Sequence, residues 1–371
     1  MAGIYVHIPF CKSRCAYCGF FSTTSLEKRR SYVDTVIKEL NARKAFLGGR
    51  DVDTVYLGGG TPSLLAVEDI GEILSSIYNI YNVREGAEVT LEGNPDDLSY
   101  ELLKELKRMG VNRLSIGVQT FDDARLKFLN RRHTSAQAIE AVDKAKRAGF
   151  DNISIDLMFG FPQQAMEGWL ADVEKAVSLQ VQHVSAYSLM YEEGTLLNSM
   201  LESGVISEVD EELSLSMYEL LIDKLNEAGF HHYELSNFAL PGMESRHNSG
   251  YWQDVPYLGV GAGAHSYDGV NRYFHVNSLE EYIAGSELAM EELTDKERYC
   301  EFVFTGLRTS EGIRLERLEQ LFGVELKDYC LYNAKKHIDR GHLIVQEGVM
   351  RLSRSGLFIS NDVMSDLMWV D

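Results

Sequence analysis

The chain has 371 residues, 45% hydrophobic and 25% charged, a composition that supports a buried core and excludes disordered and fibrous classes. Its 36 basic and 56 acidic residues leave a formal net charge of −20, which repels phosphate backbones and argues against nucleic acid as the main partner. No run approaches the roughly 18 apolar residues that span a bilayer, and the first residues lack a secretory signal, so a cytoplasmic protein without a transmembrane segment is expected.

In chain order, short β-branched runs alternate with segments of helical period. A strand over Ile4–His7 leads to a helix whose stripe is Leu26, Val33, Val36, Ile37 and Leu40. Further strands are predicted at Asp53–Leu57, Glu88–Glu92, Arg113–Val118, Ile153–Leu157, His183–Ser188 and His232–Leu235. Helices fit Val67–Tyr78, Tyr100–Met109, Ser135–Ala148, Trp169–Ser178 and Glu211–Ala228, with Gly110, Gly149 and Gly229 placed as glycines just past helix ends. Six such βα units and a closing strand fall short of the eight of a complete barrel. The expected fold class is therefore α/β, a partial, open (βα)6 TIM-like barrel over residues 1–235. Residues 236–287 break the rhythm and read as a barrel-extending segment; residues 288–371 read as a smaller, mainly α, winged-helix-like domain with a hairpin of Leu343–Val345 and Met350–Leu352.

Ligands of parallel α/β folds bind beyond the carboxyl ends of the strands. Directly after the first strand comes Cys11-Lys-Ser-Arg-Cys15-Ala-Tyr-Cys18, three of the five cysteines within eight positions. Clustered thiols in a reducing compartment are metal ligands or redox groups, and soft sulfur suits iron. A structural zinc site normally closes four ligands from two separated pairs, and no second pair exists here, although His7 could serve as a fourth. On these residues alone an iron–sulfur cluster, a zinc ion and unliganded thiols all stay open.

Cys11-x3-Cys15-x2-Cys18 after the first strand of a partial barrel resembles the radical S-adenosylmethionine (SAM) superfamily. The resemblance implies that Cys11, Cys15 and Cys18 hold a [4Fe–4S] cluster whose open iron is chelated by SAM. Tyr5-Val-His-Ile-Pro, Tyr56-Leu-Gly-Gly-Gly-Thr-Pro62, Glu92-Gly-Asn-Pro95, Ser115-Ile-Gly-Val-Gln-Thr-Phe121, Asn130-Arg131 and Ile155-Asp156-Leu-Met-Phe-Gly-Phe-Pro162 are similar to the subgroup holding oxygen-independent coproporphyrinogen III dehydrogenases and their HemW-type relatives. By that resemblance Tyr5, Tyr17, Gly59, Gly60, Thr61, Glu92, Gln119, Arg131 and Asp156 contact SAM. Glycines let a backbone approach a ligand closely, an ionised Glu accepts hydrogen bonds, and Arg pairs with carboxylates, so the residue types suit those contacts.

Two departures separate this chain from the dehydrogenases. Phe20 stands where they carry an additional cysteine, and Cys11 lies near the start where they have a substantial extension. In the other direction, His247-Asn-Ser-Gly-Tyr-Trp252 looks like the HNxxYW signature of HemW-type heme chaperones, implying heme contacts by His247, Tyr251 and Trp252. Neutral imidazole can ligate heme iron, and His265 in Gly261-Ala-Gly-Ala-His265 is a second candidate. His231 and His232 are expected as polar barrel lining. The implied function is binding heme and delivering it to an acceptor protein such as a respiratory cytochrome; SAM-dependent oxidative decarboxylation of coproporphyrinogen III is the alternative.

Overall fold

The computed structural model describes residues 1–370. The βα alternation becomes six neighbouring parallel strands: β1 (Gly3–Ile8), β2 (Val52–Gly59), β3 (Val83–Gly93), β4 (Arg113–Gln119), β5 (Ile153–Phe159) and β6 (His183–Ser188). Side chains of a strand alternate between its faces. One face carries Ile4, Val6, Val55, Leu57, Leu91, Leu114, Ile116, Ile155 and Val184, all fully buried in the main core. That core is completed by helix residues such as Val33, Val36, Leu40, Ile70, Ile73, Leu103 and Leu106. The opposite face carries Tyr5, His7, Thr54, Tyr56, Glu88, Glu92, Arg113, Ser115, Asp156 and His183, so the same period that builds the core delivers a polar lumen. Gly110, Gly149 and Gly229 adopt φ values of 95°, 92° and 88°, the left-handed conformation expected after helix ends.

The predicted closing strand corresponds to β7 (His231–Glu234), but it runs antiparallel to β8 (Asn237–Ala239), which in turn lies antiparallel to β6. Only Leu235 and Ser236 join β7 to β8, and a parallel crossover needs a dozen residues or more. The expectation that His231 and His232 line the barrel is therefore corrected: β7 is an edge strand, His231 is exposed, and His232 stacks on Phe238 with ring centroids 4.3 Å apart. On the other side β9 (Tyr257–Val260) adds parallel to β1 and continues antiparallel through β10 (His265–Tyr267), β11 (Asn271–Phe274) and β12 (Ala289–Glu292). Among the described residues no ladder joins β12 to β7, so the barrel stays open.

A second core lies in the C-terminal region, where Tyr299, Val303, Leu307, Leu318, Ala334, Val363 and Leu367 are buried together. They come mainly from helices Asp295–Leu307, Leu315–Asp339 and Ser360–Leu367. A three-stranded antiparallel sheet of β13 (Ile313–Arg314), β14 (Leu343–Gln346) and β15 (Val349–Leu352) completes it. The expected hairpin closes through Glu347 and Gly348, both at positive φ as a two-residue turn requires, one residue tighter on each side than predicted.

Candidate functional site

The loop after β1 places Cys11, Cys15 and Cys18 along a cavity of about 160 Å³ at the carboxyl ends of the strands. Backbone bonds fix it: Cys11 N–H donates to Thr23 O (2.9 Å) and Ala16 N–H to Leu129 O (3.0 Å). All three thiols are free and partly buried. Burial raises the Cys11 thiol and pushes Cys18 up to about 11, so metal-free protein holds both as neutral thiols at pH 7. Among the described residues no three His, Cys, Asp or Glu side chains converge closely enough to cage a single ion. Three thiols that line one cavity are the donor type that holds an iron–sulfur cluster.

Arg131 braces this loop. Its Nη1 donates to Cys15 Sγ (3.4 Å), and its Nη2 to the Gly117 carbonyl (2.6 Å) and to Asn94 Oδ1. Asn130 carries the strain that aims it: φ is 58°, a conformation Asn tolerates better than most residues, and its Nδ2 donates to Arg14 O (2.7 Å). Gln119 sits at a register shift between β4 and β5 with φ of 70°, and this bulge places it among the cavity residues.

Glu92 is enclosed beside Gly59. Tyr56 Oη donates to one carboxylate oxygen (2.7 Å) and Gly59 N–H to the other (3.0 Å). Burial raises Glu92 to about 7 despite those bonds, and raises Asp156 on β5 to about 6, with Ser115 Oγ donating to it at 3.3 Å. The glycine run is explained by crowding: a Cβ on Gly59 would meet the His7 ring at 2.5 Å, and one on Gly60 would meet the backbone of Pro9, Ile8 and Phe10 within 3 Å. Tyr17, Gly59, Gly60, Thr61, Glu92, Gln119, Arg131 and Asp156 thus share the cavity with the cysteines. Tyr5 does not line it; it lies deeper in the lumen, its hydroxyl 3.0 Å from His7 Nδ1.

His247, Tyr251 and Trp252 lie at the other end of the barrel, on the short helix Arg246–Trp252. Glu88 on β3 accepts from the backbone N–H of Arg246 and of His247, both at 3.0 Å, and so holds that helix against the amino ends of the strands. The His247 ring is buried, with Nδ1 2.8 Å from Thr54 Oγ1 and Nε2 2.9 Å from Tyr251 Oη. Burial lowers its pKa to about 3. The expectation of His247 as an iron ligand therefore meets a ring with both nitrogens engaged and no free lone pair. Tyr251 and Trp252 border a second, larger cavity, also lined by His265.

Residues 5–176 match the radical SAM superfamily and residues 293–359 the HemN C-terminal domain. The chain is 38% identical over 372 residues to the heme chaperone HemW of Lactococcus lactis, covering 99% of this chain and 97% of that protein. It belongs to the HemW family. The heme chaperone HemW of Bacillus subtilis is 35% identical with 98% of each chain covered. Radical S-adenosyl methionine domain-containing protein 1, mitochondrial, from Bos taurus is 33% identical over 99% of this chain and 87% of its own. Coproporphyrinogen III oxidase (HemN) from Escherichia coli, a radical SAM enzyme, shares the fold with a TM-score of 0.86 and 22% identity, covering 99% of this chain and 90% of that one.

In this HemW-family chain Phe20 borders the cysteine cavity and is 73% exposed. Sequence reasoning missed several residues that shape the same site. Asn94 accepts from Arg131, while Arg132 binds Asp96 and Asp97 (2.8 Å each) and Lys12 binds Asp97 (2.6 Å), tying the cysteine loop to the ends of β3 and β4. For Asn94 the available signal was its place in the Glu92-Gly-Asn-Pro95 motif; for the others it was composition, since Asp96 and Asp97 follow a strand and Arg131-Arg132 pairs with them in charge.

Proposed function

We propose that this protein is a heme chaperone that binds heme and delivers it to an acceptor protein such as a respiratory cytochrome, with a [4Fe–4S] cluster and SAM enabling delivery. The observation that carries this reading is the whole-length match to relatives named as heme chaperones. The cysteine cavity supports the cofactors: Cys11, Cys15 and Cys18 would hold the cluster, Glu92, Gln119, Arg131 and Asp156 the polar groups of SAM, and the backbone at Gly59, Gly60 and Thr61 its amino-acid end. Tyr17 closes one side of that cavity, and Tyr5 backs it from within the lumen. When bound, the cluster supplies the electron that can cleave the SAM sulfonium. Tyr251 and Trp252 supply heme contact surface, and His247 holds Tyr251 in place through its Nε2. The working division is residues 1–235 for cluster and SAM, 236–287 for the heme-facing extension, and 288–371 for the C-terminal domain. No helix among the described residues is long and apolar enough to cross a membrane, and the proposed place of action is the cytoplasm.

Exposed Phe20, where the dehydrogenases have a cysteine, supports delivery over decarboxylation. The test compares two activities on one anaerobically cluster-loaded preparation. Saturable hemin binding at low stoichiometry without carbon dioxide release from coproporphyrinogen III is expected. Substrate-dependent release with a flat hemin titration would overturn the reading in favour of the dehydrogenase.

A further inference from the structure

The cavity bordered by Tyr251 and Trp252 encloses about 1100 Å³, against about 160 Å³ beside the cysteines. Pockets for drug-sized ligands run to roughly 300–1,000 Å³, so this one has room for a whole macrocycle. Its walls come from two parts of the chain. Trp252, Tyr257 and Tyr267 face it from the segment around β9 and β10, and Phe302, Phe322 and Trp369 from the C-terminal helical region. A flat apolar ring between aromatic walls gains both burial and stacking.

The sites for iron are limited by how the histidines are used. His7, His183 and His247 have both ring nitrogens within hydrogen-bond distance of partners, and His133, His232, His275 and His337 have at least one engaged. His342 faces His337 across 3.5 Å, and His231 is exposed on the edge strand β7, away from this cavity. His265 lines the cavity from an exposed position, and among the described residues neither of its ring nitrogens has a hydrogen-bond partner; its ring stacks on Phe274 with centroids 5.4 Å apart. Partial desolvation against the cavity wall and the nearby Arg272 lower its pKa, which favours the ligating neutral form.

The cavity is lined by three cations, Arg272, Lys296 and Arg298, and by four carboxylates, Asp254, Glu291, Glu297 and Glu301, so a propionate of heme must meet an individual cation rather than a net positive wall. Glu301 grips Arg272 at 2.9 Å, and Glu297 caps its own helix through Thr294, so two of the local carboxylates are already engaged. Arg298 makes a 3.4 Å contact with the exposed Asp295, a weak surface pair that a propionate can replace.

We propose that heme is carried in this cavity between the β9–β10 segment and the C-terminal helical region, with His265 as an axial iron ligand and Arg298 beside a propionate. The proposal rests on the heme-chaperone reading and deepens it. The HNxxYW helix then contributes a wall, through Tyr251 and Trp252, while His247 anchors that wall to the barrel.

The test titrates hemin into full-length, cluster-loaded protein and into His265→Ala, His247→Ala and His231→Ala, with optical and electron paramagnetic resonance spectra of each complex. His265→Ala should bind hemin at least tenfold more weakly and lose the imidazole-ligated spectrum, and added imidazole should restore that spectrum. His231→Ala should match the parent. A melting curve on each variant separates loss of ligand from loss of fold, and His265→Gln, which preserves bulk, must show the same spectral loss. A parent-like spectrum in His265→Ala overturns the assignment, as does a thiolate-type spectrum, which would place iron on Cys300 in the same cavity. Failure of the parent to bind hemin at all overturns the chaperone reading itself, so the two failures are distinguishable.

Discussion

The two ends of the barrel use similar side chains to opposite effect. At the carboxyl ends of the strands, thiols, carboxylates and amides border an open cavity, and positive-φ residues at Gln119 and Asn130 hold them there. At the amino ends, Glu88, Thr54, His247 and Tyr251 are joined to one another, and the histidine has no nitrogen left over. Both ends carry motifs a reader of the sequence would mark as functional. What separates them is whether the polar atoms are already satisfied by the protein, since a satisfied buried network rigidifies and an incompletely satisfied one can receive a ligand.

That contrast is broken or sharpened by substitutions at each end. The largest effect is expected for Cys15→Ser, which should abolish the roughly four irons per chain expected of a cubane cluster while leaving the thermal melt of the metal-free protein nearly unchanged. Retention of the iron would remove the distinction at its root. Arg131→Met comes next. It leaves Asn94 Oδ1 and the Gly117 carbonyl without their donor, so a cost of about 2–4 kcal/mol is expected in denaturant unfolding, together with weaker cluster retention.

His247→Ala should behave oppositely. It opens a cavity and strands two hydroxyl groups, for an expected loss of about 2–4 kcal/mol, yet iron content after reconstitution should match the parent. Loss of cluster without loss of stability would show that the network at the amino ends of the strands is not merely a support. The smallest effect concerns pH. Glu92 titrates near 7 when folded against about 4.5 unfolded, so the folded state holds the extra proton between those values. Stability of the SAM-free protein should therefore fall as pH rises from 4.5 to 7 and level off above. Glu92→Gln should flatten that slope, narrowing the melting-temperature difference between pH 5 and pH 8, while weakening SAM binding at pH 8.

The parallel core was legible because its signals are local: β-branched runs of period two, helical stripes of Val33, Val36 and Leu40, and glycines past helix ends. The antiparallel turn of β7 and β8 was obscured because His231–Glu234 reads like the strands before it, and only the short connection at Leu235-Ser236 distinguishes it. Pairing of β9 with β1 leaves no local trace, since its partners are some 250 residues apart. At the mouth, the cysteine spacing and most of the residues that share the cysteine cavity were legible from motifs. The bond from Arg131 to Asn94 and the Arg132 pairs were not, because they are contacts between loops. The HNxxYW segment was visible as a motif, but no strand period tells which end of the barrel it returns to.

Strand β1, which launches the cysteine loop, has β2 on one flank and β9 on the other. During synthesis the first neighbour is available early, whereas Tyr257–Val260 leave the ribosome only after two-thirds of the chain has been made. A nascent chain thus carries its cysteine loop on a half-supported strand until those residues emerge. Iron loading into a settled loop is accordingly expected only after Tyr257–Val260 have joined the sheet.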